Sequence, residues 1–233
     1  MHRIDLTPIY ILHTRPFRNT SLLVDVFSKE HGRVSVVAQN ARGLKSRYRG
    51  QLQLFTPMLA SWSGRHELKA LGSVELSGSP ITLNQQPLFC GFYLNELLVR
   101  LLHKEDPHPT LFDYYHATLC RLAKNDDIPA VLRHFEKKLL EDLGYALPLL
   151  FEAKTHEAIT GDAAYHFVPN QGFHRTVSGE PVEPSALFLG KDLLGIAEEQ
   201  FDDESVLMSA KRLMRSALSA LLGNQPLHSR ELF

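Results

Sequence analysis

TSLLVDVFSKEHGRVSVVAQNARGLKSRYRG, residues 20–50, holds two short apolar runs, a glycine turn between them, and a basic stretch with an aromatic inside it. In Ser21-Leu22-Leu23-Val24-Asp25-Val26-Phe27 polar and apolar side chains nearly alternate, the period of a strand with one face in a core, and Leu23 is the imperfection. His31-Gly32 breaks the run before a second one at Arg33 to Ala38. Working outward, similar runs occupy Pro8 to His13 on one side and Leu52 to Trp62 and Glu67 to Leu76 on the other, with Arg15-Pro16 and Ser63-Gly64 as turn signals. Five short strands within about 75 residues, with a longer connection after the third, predict a five-stranded Greek-key barrel, the OB-fold. An SH3-like barrel is the competing small β module.

Beyond Gln86 the apolar period changes from two to between three and four. Leu88, Phe89, Phe92, Tyr93, Leu97, Leu98, Leu101 and Leu102 form one helical face. A second helix is predicted from Thr110 to Ala123, and a third starts at Pro129, carries Leu132, Phe135, Leu139, Leu140 and Leu143, and stops at Gly144. Further helices are expected at Ser185 to Glu199 and at Ser205 to Leu222. Between them, residues 146–184 are poor in helix signal, and Ala164 to Val168 with Gly172 to Val177 read as a hairpin around Pro169-Asn170-Gln171. The fold class is therefore α+β: a barrel domain over residues 1–78, then a helical domain over 79–233 with the hairpin subregion at 146–184.

Net charge is −1, which conceals an asymmetry. Met1 to Gly72 carries 11 Lys and Arg against 4 Asp and Glu, a net +7; the remainder carries 14 against 22, a net −8. Cations that neutralise phosphates release condensed counterions, so the first segment suits a polyanionic partner. A merely solvated basic face explains the same charge without a partner. The 44% hydrophobic and 22% charged composition is that of a soluble globular protein. With no apolar run of membrane-spanning length and no signal-peptide pattern at the N-terminus, a cytoplasmic location and no membrane partner are expected.

The densest candidate site is Asn40 to Gly50, where Arg42, Lys45, Arg47 and Arg49 surround Tyr48. Cations would meet phosphates while the ring offers a base-stacking face. On an OB barrel, Arg15 and Arg18 would fall in the loop joining the first two strands, and Arg65 and His66 in that joining the last two. Those loops, with the face of strands two and three, are the usual oligonucleotide surface of the fold. Lys69, Arg33 and Arg3 extend the set.

The ordered blocks HTRPFRNTSLLVDVFSKEHGRVSVVAQNARGLKSRYRGQLQLFTPM (13–58), FYLNELLVRLL (92–102), LRHFEKKLLEDLGY (132–145) and PLHSRELF (226–233) resemble the RecO family along essentially the whole chain. The resemblance implies a recombination mediator that binds single- and double-stranded DNA, anneals complementary strands, works with RecR, and helps load RecA onto DNA coated by single-stranded DNA-binding protein. It also implies association with the nucleoid during repair. Some members of the family carry a four-cysteine zinc module; residues 146–184 have no cysteine, so the chain resembles the zinc-free branch, and His156, His166 and His174 are expected to face solvent on the hairpin. The family further implies that the helical half captures the phenylalanine-ended acidic tail of single-stranded DNA-binding protein. Arg133 occupies the matching place, Arg121 is a helper, and Leu97, Leu101 and Phe135 are pocket walls, although ordinary bundle core describes the three apolar residues as well.

No enzyme, cofactor or metal is expected. Cys90 and Cys120 lie in predicted helices without CxxC spacing, and P-loop, GxSxG and GxGxxG patterns are absent. The run Asp202-Asp203-Glu204 fits the positive end of a helix better than a magnesium site. Two other classes stay open: an OB-fold nucleic-acid-processing enzyme with an unrecognised site, and a protein-only scaffold.

Overall fold

The computed structural model describes residues 3–177, 183–223 and 225–232. It divides into two compact units, Met1–Asp126 with Leu227–Phe233, and Asp127–Pro226. Contacts therefore thin out at Asp126, some fifty residues beyond the change of sequence period near residue 78.

In the first unit, β1 (Arg3–Phe17), β2 (Ser21–Ser28), β3 (Gly32–Ala38), β4 (Met58–Ser63) and β5 (Lys69–Leu76) close a barrel in the order β1-β2-β3-β5-β4. All pairings are antiparallel except β3 with β5, the connectivity of an OB-fold. Closure rests on β1. Its early residues pair with β4 and its later ones with β2, Ile9 facing both Met58 and Ser28, and register shifts after Ile4 and Ile11 bend it round the barrel. Inside, Ile9, Ile11, Val24, Val26, Val34, Val36, Met58, Trp62 and Leu71 fill the core. The β2–β3 turn requires glycine: Gly32 has φ +63°, and a Cβ there would stand 1.8 Å from the Asp106 carbonyl oxygen.

Leu23 was the departure from alternation, and the structure explains it. The outer faces of β1 and β2 are buried as well, beneath α1 (Gln86–Leu101) and α2 (Pro109–Ala123). Tyr10 and Phe27 pack on Phe112 at 5.5 and 5.3 Å between ring centroids, and Asn95 donates to the Leu12 carbonyl at 2.9 Å while accepting from the Tyr115 hydroxyl.

The unit is completed from the far end of the chain. Glu96 of α1 accepts hydrogen bonds from the backbone N–H groups of His228 and Ser229, at 2.9 and 2.8 Å, and so caps the terminal turn His228–Leu232. Burial alone would raise the Glu96 carboxyl, but the hydrogen bonds from Ser229 and His228, with Arg100 nearby, outweigh it and hold the group below the ordinary value of 4.5. A depressed folded-state pKa means that this cap stabilises above the unfolded pKa and is lost as pH falls through the folded one. Amide exchange at His228 and Ser229 should accelerate as pH falls through the depressed Glu96 pKa, below the ordinary 4.5, after correction for intrinsic rates. In Glu96→Gln it should be fast at neutral pH and show no such transition.

The second unit contains α3 (Ile128–Asp142), β6 (Ala164–Val168), β7 (Gly172–Arg175), β8 (Leu187–Leu189), α4 (Gly190–Ala197) and α5 (Glu204–Leu222). Asp127 caps α3, and after Gly144 at φ +82° the Tyr145 N–H returns to the Leu140 carbonyl at 2.8 Å. The side chain of Asp203 caps α5 through the N–H groups of Ser205 and Val206, as the acidic run suggested. The helix expected at Ser185 to Glu199 is shorter than its pattern. Leu187–Leu189 instead joins the hairpin as a third strand in the order β7-β6-β8, because Phe188 buries itself edge-on to Phe173. Of the three histidines expected to face solvent, His156 is exposed, whereas His166 and His174 oppose each other across β6 and β7 and stack at 5.2 Å, half-buried. Residues 178–182 of the hairpin subregion lie outside the described residues.

Candidate nucleic-acid interface

Antiparallel pairing decides which loops share an end of the barrel. Phe17 faces Ser21 and Leu22 faces Ala38, so the β1–β2 turn and the segment leaving β3 emerge together. They are clamped: the Arg42 N–H donates to the Thr20 carbonyl at 2.8 Å, and the Thr20 hydroxyl donates to Asn40 Oδ1 at 2.8 Å. Arg18 and Asn40 both adopt left-handed backbone, at φ 51° and 56°, which turns the two segments toward each other. Sequence reasoning missed Thr20 and gave Asn40 no role beyond opening the basic stretch. The available signal was an asparagine directly after a strand, a residue that tolerates this conformation.

Arg15 lies on β1 itself, two residues before its end at Phe17, and is exposed. Arg18, Arg42, Lys45 and Arg49 are exposed too, and none of the five charges is met by a salt bridge among the described residues. Arg18 rests over the Phe17 ring at 5.2 Å. These five are exposed cations of the β1–β2 and β3–β4 segments without an acidic partner among the described residues.

Tyr48 is not a stacking platform. Only 3% exposed, it plugs the barrel core, its hydroxyl donating to the Leu71 carbonyl at 2.8 Å with that of Gly72 at 3.0 Å. Arg47 lies over the ring at 4.7 Å and donates to both the Tyr48 hydroxyl and the Leu71 carbonyl. Adjacent residues of a loop face opposite ways, so the aromatic among the cations belongs to the interior. Arg47 and Tyr48 are the pin that fixes the basic loop to β5.

The third loop is placed by three strands. Ser63 faces Arg3 at the start of β1, while Lys69 and Ala70, which follow the loop, lie beside Val36 and Val37 near the end of β3. Arg65 and His66 are exposed there, but Lys69 pairs with Glu105 at 2.7 Å, and Glu67 pairs with Lys104. Arg33 donates to the Leu102 carbonyl at 3.0 Å, and Arg3 pairs with Asp5. The β2–β3 face that would join the two ends is covered: Leu23, Asp25 and Phe27 are buried, Lys29 pairs with Asp113 of α2, and the segment 102–106 lies along β3. Of the expected rim, the first two loops are tied directly to each other, the third keeps Arg65 and His66 exposed while Lys69 is paired, and the β2–β3 face is covered.

On the helical side, Leu97 and Arg121 belong to the first unit, as does Leu101, while Arg133 and Phe135 belong to the second. Leu97 and Phe135 are fully buried core residues, and Leu101 is half-buried. Arg121 remains accessible, its guanidinium 3.5 Å from Asp126. Arg133 is not an accessible cation. Its side chain is 8% exposed and bonds Glu136 one helical turn on, at 2.7 Å.

No described helix is long and apolar enough to cross a membrane. The family models described as Recombination protein O N terminal and Recombination protein O C terminal match residues 1–80 and 86–231. The chain is 50% identical to a DNA repair protein RecO of Coxiella burnetii (strain RSA 331 / Henzerling II) over 230 residues, covering 99% of this chain and 98% of that one. It is 41% identical to DNA repair protein RecO of Azoarcus sp. (strain BH72) over 231 residues, 99% and 95% of the two chains. It is likewise 41% identical to DNA repair protein RecO of Haemophilus influenzae (strain PittGG) over 224 residues, 96% and 93% of the two. A barrel of OB connectivity with exposed cations on its β1–β2 and β3–β4 segments, matched over its whole length by such relatives, identifies the chain as a member of the RecO family of DNA repair proteins.

Proposed function

We propose that the chain is a non-catalytic mediator of DNA repair and recombination that holds single- and double-stranded DNA on the paired β1–β2 and β3–β4 loops. The observation that carries this reading is the clamp between Thr20, Asn40 and Arg42, which sets Arg15, Arg18, Arg42, Lys45 and Arg49 on one edge without acidic partners. Such an edge reads backbone phosphates, because Tyr48 is buried and the β2–β3 face is covered, which leaves cations as its main exposed chemistry among the described residues. Annealing follows from the same chemistry: neutralising both strands lowers their repulsion, and exchangeable contacts release the duplex.

Residues 1–78 supply the DNA-binding part, and the acidic helical remainder is the docking part for RecR and for the tail of single-stranded DNA-binding protein, through which RecA is loaded. The accessible Arg121 is the cation that supports tail capture.

The test is the salt dependence of binding to two unrelated oligonucleotides, single- and double-stranded, in the presence of Mg²⁺. Up to five phosphate contacts give a slope of log K against log salt of about −2 to −4, alike for both sequences. A slope near zero would exclude the electrostatic site, and shortened strands would point to the processing-enzyme class instead.

A further inference from the structure

Away from the basic loops, one face of the first unit brings together three groups that DNA binding does not use. The Tyr10 hydroxyl of β1 lies 2.5 Å from His116 Nδ1, and His116 Nε2 lies 3.8 Å from the Sγ of Cys120, one turn further along α2. All three line an open groove of ≈ 820 Å³ whose other wall is Pro57, Met58 and the segment 77–82. That volume is within the range of about 300–1,000 Å³ typical of small-molecule sites. The second cysteine, Cys90, is wholly buried in α1.

A thiol reacts as its thiolate, and a partly exposed thiol beside an imidazole meets that requirement. We propose that Cys120 is a redox-modification site that exchanges with low-molecular-weight disulfides of the glutathione class, with His116 as its base and Tyr10 as the group that orients the imidazole. His116 takes the Sγ proton at Nε2, while Nδ1–H donates to the phenol oxygen. The Cys120 thiolate attacks one sulfur of the disulfide, a new S–S bond forms as the old one breaks, and the departing thiolate takes the proton back from His116. The Cys120 sulfur passes from the thiol to the disulfide level as one sulfur of the small disulfide passes from the disulfide to the thiol level, so no other oxidant is needed.

Several charges bear on this. Burial, with Cys120 as a further cause, pushes the Tyr10 phenol far above its ordinary value, so Tyr10 stays neutral and cannot compete for the proton. On α2, Lys124 lines the groove and favours an anionic disulfide, whereas Asp113 is already engaged by Lys29 at 2.8 Å. Neighbouring Arg121 is occupied by Asp126, and the wall formed by Pro57, Met58 and residues 77–82 carries no charged side chain. The carbonyl end of α2 opposes a thiolate, but it amounts to roughly half an elementary charge against the whole charge of an imidazolium.

The test treats the full chain with oxidised glutathione between pH 6 and 9 and maps the adducts by peptide mass. One adduct is expected, on Cys120 and not Cys90, forming about tenfold faster at pH 7 than on either cysteine of the urea-unfolded chain. An isolated thiol slows about tenfold for each pH unit below its pKa of ~8.5; Cys120 should slow far less between pH 8 and 6.5. His116→Gln should return both rate and pH profile to those of an isolated thiol. Should that variant fail to fold, the profile of the unaltered chain decides alone. Cys120 reacting no faster when folded, or with the steep profile of an isolated thiol, would overturn the proposal.

Discussion

Replacing Arg42, Lys45 and Arg49 together by alanine should weaken binding to any DNA sequence by about a hundredfold near 0.1 M salt, with the deficit shrinking toward 1 M. Each phosphate contact contributes roughly 0.7 to 0.9 to the salt slope, so the slope itself should fall by about 2 to 3. The folded state should be untouched, because all three side chains are exposed and unpaired among the described residues. Arg47 is deliberately spared. Its guanidinium holds the Tyr48 hydroxyl and the Leu71 carbonyl, and its loss would loosen the loop and confuse lost charge with lost geometry. The control is Arg65→Ala, a cation equally exposed but on the β4–β5 loop, which should change affinity by less than threefold. Titrations by fluorescence anisotropy at four or five salt concentrations would decide the matter. An unaltered slope in the triple variant would remove this edge from the interface whatever happened to the affinity.

The contrast between Arg42 and Lys69 shows what a sequence can and cannot convey. Strand alternation, Gly32 and the helix stop at Gly144 are local signals, so the barrel and most helices were legible. The clustering of positive charge was legible too, because charge counts do not depend on where side chains point. Direction was not legible. Tyr48 and Arg49 are neighbours in the chain, yet one enters the core while the other faces solvent. Lys69 looks like one more cation until Glu105, distant in sequence, closes on it. Burial of the β2–β3 face was hinted at only by Leu23, since an outward leucine on a strand means that something covers it. β8 was hidden because three residues carry too little periodicity to outweigh the helical pattern that follows them.

Arg133 is where the two kinds of information conflict most, and its substitution is correspondingly informative. Were it an accessible cation, Arg133→Ala would weaken capture of an acidic tail and leave the fold alone. The geometry gives a different expectation. Arg133 and Glu136 face each other at 2.7 Å inside the second unit, with side-chain exposures of 8% and 3%, so the alanine variant takes the guanidinium away from a buried carboxylate. Breaking a buried ion pair from one side costs about 3–5 kcal/mol, a large share of the stability of an ordinary domain. Urea denaturation should show this as a lower midpoint at unchanged slope. Replacing both partners by apolar residues of similar volume, Arg133→Met with Glu136→Leu, should restore most of the loss, because desolvation and attraction then vanish together. A midpoint that stays in place in Arg133→Ala, with tail affinity lost, would mean that the pair opens in solution and that the guanidinium does face a partner.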